Sequence, residues 1–81
     1  MNINIYNELY SIEEVKTLRI DKTKLKLLSA EKGLKVQDLA EAAGVAFTTV
    51  VNARAGKEVS ERTIVKLAKA LDIKAKDLMK D

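Results

Sequence analysis

The sequence predicts an all-α fold of five short helices preceded by a short N-terminal extension. Three observations carry this. The 81 residues contain no Pro and only three Gly, in a chain rich in Lys, Leu and Ala. From Asp21 onward, apolar residues recur at helical spacing. The glycines fall at 33, 44 and 56, where successive helical patterns break.

The extension, residues 1–20, departs from that pattern. "NINIYN" alternates Ile3 and Ile5 with Asn2, Asn4 and Asn7, the period of a half-buried strand. Ser11 with Glu14 three residues later has capping-box spacing, so "SIEEVKTLR" reads as a short helix beginning near Ile12. A lone strand needs a partner for its backbone groups, which a second copy of the chain could supply; the alternative is a loosely attached arm. Tyr6 and Tyr10 read as packing residues, onto the domain or across a dimer, since no basic groove is interleaved with them. The chain divides on this reading into an arm, 1–20, for dimerisation or partner binding, and a domain, 21–81.

Within the domain each helix has its own signals. Asp21 caps a first helix carrying Leu25, Leu28 and Lys32 on successive turns and stopped by Gly33. A second, about Val36 to Ala43, puts Val36, Leu39, Ala40 and Ala43 on one stripe and ends at Gly44. A third runs from Phe47 to Ala55 and stops at Gly56. Ser60 caps a fourth with Ile64, Leu67, Ala68 and Leu71 inward, and a short fifth near Ala75 to Met79 adds Leu78 after Ile73.

Composition narrows the function. One domain fills this length, and a third of its residues are charged, the balance of a folded domain. Without Cys or His there is no disulfide framework, zinc ribbon or thiol nucleophile, and general acid–base work would fall to scattered carboxylates. Neither catalysis nor a cofactor is expected. The longest apolar run is far short of the ~20 residues of a membrane span, and the start lacks a basic segment followed by an apolar one. A cytoplasmic protein, away from membranes, is therefore expected. Of the net charge of +3, residues 1–20 contribute −1 (Lys16 and Arg19 against Glu8, Glu13 and Glu14), leaving +4 on the remainder. That excess is compatible with a polyanion.

The sharpest signal is "AGVAFTTVVNARAG", which has no charge from Gly44 to Ala53. Only Gly44, Val45 and Ala46 separate the second and third helices, and so short a link, with Gly available for positive φ, makes them cross steeply. Turned at about 100° per residue, the third helix gathers Thr49, Val50 and Ala53 on a core side and Phe47, Thr48, Val51 and Asn52 on the opposite side. A DNA major groove suits that outward face: thymine methyls meet Phe47 and Val51, and Asn52 grips adenine. Phosphates would be neutralised from the flanks by Lys35, Arg54 and Lys57, with backbone amides at the start of the second helix adding an anion site. The competing reading has Phe47 folded onto this domain or a neighbour and Asn52 simply solvated. Lys22, Lys24, Lys26, Lys66, Lys69, Lys74 and Lys76 read as solvated helix faces.

Over residues 21–79 the chain resembles the phage repressor and Cro-like (xenobiotic-response-element, lambda repressor-like) helix-turn-helix family. The likeness rests on "LAEAAGVAFTTVVNARAGK" and "SERTIVKLAKALDIKAKDLM", with Ala40, Gly44, Val45, Val50 and Gly56 at the family's structural positions. It implies base reading by Phe47, Thr48, Val51 and Asn52, and phosphate contacts at or near Lys35, Thr49, Arg54 and Lys57. Val36 stands where the family often has a Gln that touches the DNA backbone, with Gln37 one place later, and both join the candidate phosphate contacts. Lys35 replaces the usual Ser or Thr cap, Ala46 stands where Ser is common, and Phe47 is an unusual reader.

The resemblance implies a transcriptional regulator, a repressor in type, that binds an inverted-repeat DNA operator as a homodimer. Two rivals stand beside it: an antitoxin-type regulator whose residues 1–20 also hold a toxin, and a protein-interaction module that uses the fold without DNA.

Overall fold

The computed structural model describes residues 17–80. Its elements are β1 (Thr17–Arg19), α1 (Lys22–Glu31), α2 (Val36–Ala43), α3 (Phe47–Arg54), β2 (Glu58–Ser60), α4 (Glu61–Ala70) and α5 (Ala75–Leu78). The five helices are those the sequence signals place, and the two predicted caps are made. Asp21 Oδ1 accepts the Lys24 N–H at 3.1 Å, and Ser60 Oγ accepts the Thr63 N–H at 3.1 Å. Each satisfies an amide that the first helical turn otherwise leaves without a partner.

The core forms where the helical stripes converge. Leu25, Val50, Ala53 and Leu67 are fully buried, with Leu39, Ile64, Leu71 and Leu78 at most 1% exposed. Ser29 is the buried polar residue among them, and its hydroxyl donates to Leu25 O at 2.7 Å, so its burial leaves no donor stranded. Among the described residues no helix is long and apolar enough to cross a membrane.

The sequence signals missed the small sheet. β1 pairs antiparallel with β2 in the register Thr17↔Ser60, Leu18↔Val59, Arg19↔Glu58. Thr17–Arg19 are therefore extended, not the end of a helix over "SIEEVKTLR". Local capping spacing loses here to a tertiary partner, because Leu18 packs against the core directly across from buried Val59. Ile20, at 1% exposure, belongs to the core itself. Its neighbours are tied to the chain's end: Asp21 N–H donates to Leu78 O at 2.9 Å and Lys80 N–H to Arg19 O at 3.0 Å. Residues 17–20 thus join the domain, four residues ahead of the boundary expected at 21. The "NINIYN" strand, the cap at Ser11, Tyr6 and Tyr10 lie outside the described residues.

Candidate nucleic-acid interface

The link between α2 and α3 is closed by its glycine. Gly44 has φ +73°, a left-handed conformation that costs a residue with a Cβ about 1–2 kcal/mol. Adopting it lets the Gly44 and Val45 N–H groups both reach Ala40 O, at 2.9 and 3.0 Å. These bonds satisfy the end of α2 and turn the chain straight into α3. Buried Ala40 and half-buried Ala43 and Val45 fill the space at the turn.

Two opposed faces result on α3. Val50 and Ala53 are completely buried, whereas Phe47 is 53% and Val51 43% exposed. Thr48 and Asn52 are exposed beside them, and Thr49 is half-buried at the border. The periodicity reading of the two faces therefore holds in three dimensions. In this chain Phe47 is not folded into the domain.

Charge lies at the ends of this face. Arg54, half-buried, closes α3, and Lys57 follows one turn later. Gly56, at φ +84°, makes that turn, and the Lys57 N–H donates to Asn52 O at 3.0 Å, fixing Lys57 relative to the helix end. At the start of α2, Lys35 and Gln37 are exposed. The Lys35 N–H donates to Asp38 Oδ2 at 3.0 Å, the carboxylate half of a capping box. Val36 is half-buried with its side chain against the core, so it can offer only its backbone N–H, one of the unpaired amides of a first turn. The carboxylate of Asp38 sits at the same helix end and offsets part of its attraction for anions.

A rigid helix, bare of charge on its outer face and bordered by cations, has the chemistry of base-edge contact flanked by phosphate contact. Comparison with known proteins gives the family. Residues 24–81 match the Cro/C1-type HTH DNA-binding domain. The chain belongs to that family. It is also similar to a solved structure, the restriction-modification controller protein C.AhdI from Aeromonas hydrophila, at 36% identity over 72% of this chain and 89% of that one, with a TM-score of 0.66. No curated protein sequence matches it. As a Cro/C1-type protein the chain is a DNA-binding transcriptional regulator, of a family not generally enzymatic. Among the described residues no cluster of three His, Cys, Asp or Glu side chains offers a metal site.

Sequence reading left one exposure and one contact unmarked. Leu27 on α1 is 60% exposed, and nothing in the structure explains it. Lys22, read as a solvated helix residue, lies against Gly56: its Cδ is 3.6 Å from where a Cβ on that glycine would stand. The two residues are far apart in sequence, and no local pattern could have paired them.

Proposed function

We propose that this Cro/C1-type protein is a cytoplasmic repressor that binds an inverted-repeat operator as a homodimer and blocks transcription by occupying the promoter. In this reading α3 lies in the major groove. Phe47 and Val51 contact thymine methyls, and Asn52 bonds the N6 and N7 edge of adenine, with Thr48 beside it. Lys35, Gln37, Thr49, Arg54, Lys57 and the Val36 N–H hold phosphates. The Lys35 ammonium offsets the charge of Asp38 at the start of α2.

The observation that carries the reading is the pairing of exposure with neutrality on α3. Phe47 at 53% and Val51 at 43% are exposed on a helix whose reverse is sealed in the core. Large apolar groups held in water in that way mark a contact surface. The likeness to a restriction-modification controller supports a regulatory role. Restriction–modification control is one setting for that role.

Selection of binding sites from random duplexes at moderate salt tests this. The expected product is an inverted repeat whose half-site centres are about 34 to 36 Å apart, one helical turn. Recovered sites without dyad symmetry would remove the homodimer from the account.

The same two exposed apolar residues favour a second reading, in which Phe47 and Val51 anchor a protein partner. Salt separates the two. DNA affinity falls steeply with ionic strength as counterions are released, and an apolar interface holds.

A further inference from the structure

A cleft of about 450 Å³ opens where the start of α1, the turn after α3 and the C-terminal segment meet. Its charged lining is Arg19, Asp21, Lys22 and Lys80, with Ala55 and Gly56 on the α3 side. Among the described residues of the lining, three cations against one carboxylate leave a positive excess that favours an anion. Glu58 pairs with Arg19 across the sheet but is not part of the cleft's lining; its Oε1 accepts the Thr17 hydroxyl at 2.7 Å.

The cations come from separate parts of the chain and are held in register by backbone bonds. Lys80 N–H to Arg19 O, at 3.0 Å, sets the first and last side by side. Lys22 is set against Gly56, whose turn leads directly into Lys57. The cleft therefore shares a wall with the turn that closes α3. Two of its cations, Arg19 and Lys22, precede residue 24, where the match to the Cro/C1-type domain begins.

We propose that this cleft binds a phosphate of the DNA backbone flanking the half-site, so that β1 lengthens the footprint of each subunit by one phosphate contact. The inference rests on α3 being the element that enters the duplex. A DNA strand held by Arg54 and Lys57 would run beside the turn at Ala55 and Gly56, which shares the cleft's lining with Lys22, Arg19 and Lys80. The two non-bridging oxygens of a phosphodiester match the planar fork of Arg19, with the two Lys ammonium groups supplying point charge. Such a contact is blind to sequence and sensitive to salt.

The test compares two duplexes that carry the selected operator, one ending at the half-sites and one extended on both sides, titrated over a salt series with the intact chain and with Arg19→Gln/Lys80→Gln. On the extended duplex the double variant is expected to bind about tenfold more weakly per subunit, the worth of one charge-assisted hydrogen bond and so about a hundredfold for the dimer, with a salt slope lower by about 0.9 per subunit. On the short duplex the two proteins should bind alike. Both substitutions are at exposed positions. Should the double variant melt early, Lys22→Gln repeats the test without touching the β1 or C-terminal pairing.

Equal affinity of variant and wild type on the extended duplex overturns the proposal, as does equal weakening on both lengths. Inorganic phosphate that shifts the Lys22 and Thr23 amides while duplex length makes no difference would assign the cleft to a free phosphate and overturn it too. Wild-type protein that fails to prefer operator over scrambled duplex removes the α3 reading itself, and the wild-type titration shows this before any variant is compared.

Discussion

Helix α4 buries Ile64, Leu67 and Ala68 and turns Arg62, Lys66 and Lys69 outward, whereas α3 buries Val50 and Ala53 and turns Phe47, Thr48, Val51 and Asn52 outward. The inner faces obey one rule, since apolar groups at helical spacing meet the same core. The outer faces differ in what covers them. Charged side chains suit α4 to water, and its Val65, 39% exposed among them, is an ordinary isolated surface residue. On α3 an exposed Phe and Val stand together, with charge only at the helix end in Arg54, a surface fitted to a partner. Packing made both helices, and only one has a face left that water does not explain.

The contrast can be broken from the inside first. Leu67→Ala on α4 should cost about 2–5 kcal/mol of folding stability by urea unfolding, because a fully buried leucine leaves a cavity. DNA affinity, corrected for the folded fraction, should stay as in wild type. A specific loss of affinity at full folding would mean that α4 belongs to the interface.

The outer faces are compared by one substitution made twice. Val51→Glu places a carboxylate where the DNA is proposed to lie and should weaken binding by about 3 kcal/mol through like-charge repulsion. Val65→Glu, at similar exposure on α4, should change affinity by less than about 0.5 kcal/mol, as surface substitutions usually do. Equal losses from the two would erase the distinction between the helices.

Smaller effects sharpen the local accounts. Gly44→Ala finds open space but keeps φ +73°, so strain alone should cost about 1–2 kcal/mol of stability. Ser60→Ala removes the cap of α4 and should cost about 1 kcal/mol in thermal or urea unfolding, leaving DNA affinity unchanged. A Ser60→Ala variant as stable as wild type would show that the Thr63 N–H finds water equally well.

The helices were legible because their signals are local. Asp21 and Ser60 cap within three residues, Gly44 and Gly56 end helices by their own backbone freedom, and the stripe from Ile64 to Leu71 is visible in eight residues. The two faces of α3 were legible for the same reason. β1 was not, because what makes Thr17–Arg19 a strand is Glu58–Ser60, far along the chain, while the nearest local cue at Ser11 and Glu14 pointed to a helix. Three-residue strands carry almost no periodicity of their own. Val36 shows the limit at the candidate site: sequence put it on an apolar stripe and also at a phosphate position, and its half-burial leaves only the backbone amide for the second role. The Arg19, Lys22 and Lys80 cleft is assembled by tertiary contact alone.

Base reading by α3 depends most on Asn52, the exposed amide on the charge-free side of the helix. Affinities of wild type and Asn52→Ala should be measured on the selected operator and on duplexes substituted one base pair at a time. The expected loss is ~1–3 kcal/mol on the operator, vanishing on duplexes already altered at one particular base pair in each half-site. A loss of the same size on every duplex, or no loss at all, would contradict base reading by this face.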